Sequence, residues 1–144
     1  SSADLTVDST PGTHTTTMIC TDANGAETFR VTFNVHVVDL QLTITATGDG
    51  ITPTTITLDA TSDPYTFTIP YNESETEYQL VVTDNHAEAK SLFSGIGNTL
   101  TFLNRADGTY YPRGTTITTT NAICAPIEGT GYSLSIPITI KVAD

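Results

Sequence analysis

The residues able to do chemistry are few and scattered. In 144 residues there are two cysteines, Cys20 and Cys124, and three isolated histidines, His14, His36 and His86. There is no Gly-x-Ser-x-Gly elbow, no Gly-rich phosphate loop and no His-Glu-x-x-His pair, so the usual nucleophiles and metal-held waters have no frame. Ser94-Gly95-Ile96-Gly97 is a loop with two glycines, not a nucleophile turn. The expectation is a protein with no catalytic residues, not an enzyme.

Other groups offer binding rather than turnover. Asp22, Asn24, Asp39 and Asp84 fall in turns or at strand ends, where loops of one sheet end can supply the six to eight oxygens that calcium needs. The competing reading is that such residues cap turns through their own side chains. Tyr71, Tyr110 and Tyr111, beside Pro70 and Pro112, offer a ligand platform for a glycan or pack over a sheet edge. Asn72-Glu73-Ser74 matches a glycosylation sequon. Lys90 and Lys141 are the candidates for an isopeptide cross-link, although Lys141 has outward parity. The cysteines have no neighbouring ligand at metal spacing. They form either two buried thiols or a Cys20–Cys124 disulfide closing a loop of about 100 residues, worth several kcal/mol in the chain-entropy model.

The elements that must position these groups are strands. Threonine fills about a fifth of the chain, with 38% hydrophobic and only 15% charged residues, a composition that favours strands over helices. In Phe29, Val31, Phe33, Val35 and Val37 every second residue is apolar, and Leu134, Ile136, Ile138, Ile140 and Val142 repeat the pattern. That period places apolar groups on one face of a strand. Residues 40–46, 51–58, 65–69, 78–83 and 100–103 give further strands, the second broken near its start by Pro53. Tyr65 and Tyr78 take inward parity. The run Ala87-Glu88-Ala89-Lys90-Ser91-Leu92-Phe93 alone tolerates helix, for one or two turns at most.

The two alternating strands belong to a longer repeat. Residues 29–39 align one for one with residues 134–144, each after a Gly-containing turn (22–25 and 128–131) and a Thr-rich strand ending in cysteine. The spacing, about 105 residues, exceeds solenoid periods and suits a sandwich domain. The expected organisation is a hairpin over residues 1–38 followed by a β-sandwich over residues 39–144.

From Leu40 to Val142 the chain resembles the cadherin-like β-sandwich repeats of bacterial and archaeal surface proteins. The matching pieces are Leu40-x-Leu42-x-Ile44, Tyr65-Thr66-Phe67-Thr68-Ile69-Pro70, the strand from Tyr78 to Thr83 and the closing hairpin. Residues 12–38 resemble the closing hairpin of a preceding repeat, and also that of extracellular immunoglobulin-like modules. Residues 91–113 read as an insertion, and the cysteines depart from the pattern. The resemblance implies an all-β, immunoglobulin-like antiparallel sandwich with an additional N-terminal hairpin. In that family such units are spacers, adhesion modules and assembly units.

Charge and the termini narrow the setting. With 16 acidic and 5 basic residues the net charge is −11, which opposes binding to nucleic acid and to anionic lipid. No apolar run nears the 18 or so residues of a membrane-spanning helix. The first five residues lack the segments of a secretory leader, so mature secreted material or an excised fragment is expected. A lone hairpin is marginal in water. It must pack on its own domain, be lent to a neighbouring subunit, or belong to a longer repeat protein. The functional expectation is an extracellular structural protein of the cell surface, self-associating into a filament or standing in tandem. The alternatives are an adhesion module, with calcium as its conceivable cofactor, and a virion decoration or tail module.

Overall fold

The computed structural model describes residues 8–52, 54–87, 89–125 and 133–144. The expected features at residues 1–5, Pro53, Glu88 and the turn at 128–131 lie outside the described residues. Every regular element among the described residues is a strand, and the chain divides into two compact units, Ser1–Asp39 and Leu40–Asp144.

The first unit is a two-stranded antiparallel ribbon of β1 (Gly12–Thr21) and β2 (Glu27–Val37). Its turn is built by Asp22, whose Oδ1 accepts the backbone N–H groups of Asn24 and Ala26 at 2.8 and 3.0 Å. Gly25 completes it at φ 82°, a left-handed conformation that glycine adopts without steric penalty. The register sets His14, Thr16, Met18 and Cys20 opposite Val35, Phe33, Val31 and Phe29 on one face. The other face carries Thr15–Asn34 and Thr17–Thr32 hydroxyl contacts at 3.0 and 3.3 Å, and Arg30 grips Glu27 at 2.7 and 2.8 Å. The ribbon is amphipathic because its sequence alternates with the period of the strand.

The second unit carries two four-stranded sheets. One has the order β4 (Thr54–Leu58), β3 (Leu42–Gly48), β6 (Glu77–Asp84), β8 (Thr99–Leu103), all antiparallel. The other has the order β5 (Tyr65–Ile69), β12 (Leu134–Val142), β11 (Thr116–Cys124), β7 (Ser91–Phe93). Here β5 runs parallel to β12 and the remaining pairs are antiparallel. Two short strands, β9 (Arg105–Ala106) and β10 (Thr109–Tyr110), make a separate hairpin.

Alternation is realised as burial throughout this unit. Leu42 and Ile44 of β3, Tyr78, Leu80 and Val82 of β6, and Ile136, Ile138, Ile140 and Val142 of β12 all lie in the core. Each such aliphatic side chain contributes roughly 1.5–3 kcal/mol on burial. Tyr78 takes the inward position expected from its parity, and its ring leaves Gly48 no room for a methyl group. Pro137 sits inside β12 without breaking a ladder. Val142 N–H donates to Thr115 on the β11 side, so residue 137 faces the β5 side, and β5 pairs only from Ile138 onward. A proline is tolerated where its missing N–H has no partner to lose.

Residues 91–113, which the resemblance marks as an insertion, supply β7 and β8 to the two sheets. The helix-tolerant run ends in strand β7 instead: Phe93 is fully buried opposite Ala122, and packing outweighs weak local preference.

Substitutions should separate the two kinds of surface. In denaturant unfolding, Ile138→Ala should cost about 2–5 kcal/mol and Gly48→Ala about 1–3 kcal/mol by overpacking. Ile19→Ala, on the exposed ribbon, should stay within about 0.5 kcal/mol.

Candidate functional site

The ribbon of the first unit repeats the closing ribbon of the second, pair for pair. Cys20–Phe29, Met18–Val31, Thr16–Phe33 and His14–Val35 in β1–β2 match Cys124–Leu134, Ala122–Ile136, Thr120–Ile138 and Thr118–Ile140 in β11–β12. The two differ in cover. Leu134, Ile136, Ile138 and Ile140 are buried, whereas Phe29 is 56% exposed and Phe33 37%. No charged residue occupies the apolar face between Met18 and Val35. Met18, Val31 and Val35 on the same face are half-buried; exposed apolar strips on protein surfaces commonly serve as interaction sites.

The sister cysteines show the same contrast. Both are free thiols, Cys20 exposed and Cys124 fully buried, and the expected bridge is not formed. Cys124 points inward from β11, opposite Leu134 and Ser91, so a bond to it would require opening the core. Burial pushes its thiol pKa up, and the Asp84 carboxylate adds to the shift.

A second feature lies in the larger unit, where the edge strands β4 and β5 border an apolar seam. The cavity there is about 280 Å³ and is lined by Ile51, Thr54, Tyr65, Phe67, Ile69 and Leu80, among others. Tyr65 and Phe67 meet edge to face at 4.8 Å. Among the described residues the outer edge of β5 has no strand partner. Ala143 N–H donates to Ile69 C=O at 2.8 Å on the β12 side, and backbone groups alternate along a strand. The N–H and C=O groups of Thr66 and Thr68 therefore face the free edge. Alternation and turn signals reveal strands but not which of them end a sheet, so this seam was not foreseen.

The acidic candidates are divided between units. Asp22, Asn24 and Asp39 belong to the first and Asp84 to the second. Asp22 is engaged in its turn, and Asp84 Oδ1 accepts the backbone N–H of His86 at 3.0 Å. Among the described residues no three His, Cys, Asp or Glu side chains are grouped to hold a metal ion.

The tyrosines do not form an open platform. Arg113 lies 4.5 Å over the Tyr71 ring, whose hydroxyl donates to Glu73 at 3.2 Å. Tyr110 and Tyr111 are half-buried. Asn72, the sequon residue, donates from its amide nitrogen to Thr76 Oγ1 at 2.8 Å, and its Oδ1 accepts the Ser74 N–H at 2.9 Å. The loop around it is held by buried Asn104, which donates to the carbonyls of Asn72 and Ser74 and accepts from Thr76 N–H. The sequence reading passed over Asn104, the polar end of an otherwise apolar strand signal. Lys141 pairs with Asp144 at 3.4 Å and Lys90 is exposed, so neither has the enclosed setting of an isopeptide bond.

Thiol reactivity tests this placement. A chromogenic disulfide reagent should titrate one thiol per chain under native conditions, Cys20, and the second only in denaturant; Cys20→Ser should abolish the native signal. No protein-family model matches the sequence, and neither a curated protein nor a solved structure matches the chain.

Proposed function

We propose that this chain is a non-enzymatic structural unit working outside the cell, joined to further copies by β-strand contacts through its N-terminal ribbon. The observation that carries the reading is the uncovered apolar face of β1–β2, set beside a sister ribbon whose face is buried. Apolar area left in water forgoes roughly 25 cal/mol per Å², so a partner that covers it gains that stabilisation. The low content of charged residues and the threonine-rich, acidic composition support an extracellular setting.

The arrangement of the body supports an immunoglobulin-like sandwich. With β3, β6 and β8 as strands A, B and E, and β7, β11 and β12 as C, F and G, the two sheets follow the A–B–E and C–F–G neighbours of that fold. A rigid sandwich with one adhesive ribbon is a mechanical part. The adhesion alternative has less behind it, because Arg113 already occupies one face of the Tyr71 ring.

Sedimentation velocity over a range of chain concentrations tests the reading. The sedimentation coefficient should rise with concentration. It should rise further as salt goes from about 0.01 to 0.15 M, because screening shortens the reach of repulsion between chains of net charge −11. Phe33→Asp should return the protein to a monomer. A monomer at every concentration and salt level refutes the proposal.

A further inference from the structure

We infer that the partner of the ribbon is a second copy of this chain, and that its acceptor is the seam at the free edge of β5. This inference rests on the reading that the ribbon drives assembly, and adds where it binds and how.

The seam has what a strand needs. The free edge offers the N–H and C=O groups of Thr66 and Thr68, and beside it lies a cavity of about 280 Å³ whose lining mixes aliphatic and aromatic side chains with threonines. An extended segment that pairs with such an edge gains main-chain hydrogen bonds, while its alternate side chains enter the groove. Sheet edges are commonly guarded by lysine, proline or a bulge. β5 reads Tyr-Thr-Phe-Thr-Ile and has none of these between the bounding Pro64 and Pro70, in a chain with 16 acidic residues. The ribbon's apolar face is likewise free of charge, so the two surfaces meet without the repulsion that the rest of the molecule imposes.

The internal repeat indicates which strand docks and in which direction. In the body, the outer edge of β11 takes β7 as an antiparallel neighbour, with Ala122 opposite Phe93 and Cys124 opposite Ser91. β1 is the sister of β11, so its outer edge is built for the same partner type. Laid antiparallel along β5, β1 keeps Met18 and Cys20 on the inward side, and β2 extends the sheet beyond it. The combined order becomes β7-β11-β12-β5 followed by β1 and β2 of the second copy. A parallel approach of β1 would turn the apolar face to solvent.

Direction also sets the reach that a linker would need. In this pose Val37, opposite Gly12, lies at or beyond the Ile69 end of β5. β3 begins at Leu42, which pairs with Leu58 and Asp84. This is the opposite end of the body, because Gly48, at the far end of β3, lies beside Tyr78, and Gly50 beside Pro70 just past Ile69. Four residues separate Val37 from Leu42 and reach at most about 17 Å. The path must cover a strand about as long plus at least two strand spacings of about 4.8 Å each, upwards of about 20 Å. A ribbon donated by another molecule meets no such limit. Donor and acceptor are different surfaces, so the contact is head to tail and propagates as an open chain unless rotation closes it.

Full-length variants test this by sedimentation velocity at a concentration where the wild type is oligomeric. Thr66→Pro removes a donor from the free edge and leaves the β5–β12 ladder intact, and Thr66→Lys guards the same edge if the proline variant melts early. Phe33→Asp, with Met18→Asp as its second form, disables the ribbon. Each variant alone should sediment as a monomer, and an equimolar mixture of Thr66→Pro and Phe33→Asp should form a one-to-one dimer, since one chain keeps its ribbon and the other its seam. If both Thr66 variants assemble like the wild type, the seam is not the acceptor and ribbon-driven association still stands. A mixture that stays monomeric also overturns the seam. If Phe33→Asp and Met18→Asp both assemble like the wild type, the functional reading itself fails.

Discussion

A strand ribbon with one apolar face is stable only when something lies across that face, and this requirement governs the molecule. Two strands pair their inner backbone groups with each other but leave both outer edges and one hydrophobic side unserved. In the larger unit the requirement is met within the chain. β11–β12 is flanked by β5 and β7, and its inward side chains share the core with β3 and β6. In the smaller unit, among the described residues, β1 and β2 have only each other as sheet partners.

Sister positions make the comparison internal to one chain. Cys20 and Cys124 hold the same slot in the same register, as do Phe33 and Ile138. Local sequence, turn chemistry and strand pairing are thus closely matched, and what differs is cover. Cys124 and Ile138 are fully buried, while Cys20 and Phe33 are exposed. The exposed face is not a failure of patterning. It is the patterning of a core strand without the rest of the core.

Much of this was legible in the sequence because the strand period is local. Alternation in residues 29–37 and 134–142, the inward parity of Tyr78, and the Asp22–Gly25 turn follow from side-chain direction and backbone preference alone. What failed was non-local. β7 has only three residues and no alternation long enough to detect, yet Phe93 is drawn into the core by β11. Two buried thiols and a Cys20–Cys124 disulfide both stay open in the sequence, because loop length says nothing of how deeply the β11 thiol lies or of the exposure of its sister. Free edges were equally invisible, since an edge is defined by the strand that is missing beside it. The uncovered face of the ribbon is of the same kind.

The acidic charge and the uncharged sites then have a joint explanation. A net charge of −11 keeps threonine-rich chains apart at long range, and its effect fades beyond a Debye length of about 8 Å in physiological salt. Against that background the ribbon face and the β5 edge carry no charge, a property β5 shares with the edge strands β4, β7 and β8, so close approach is little opposed there. An unguarded edge is ordinarily an aggregation hazard. Here the hazard is limited by length, because β5 offers only five residues. In the proposed assembly, repulsion over most of the surface with attraction at one short edge would select a single mode of contact. That selectivity, more than the strength of any one contact, is what an ordered assembly of strand-rich units requires.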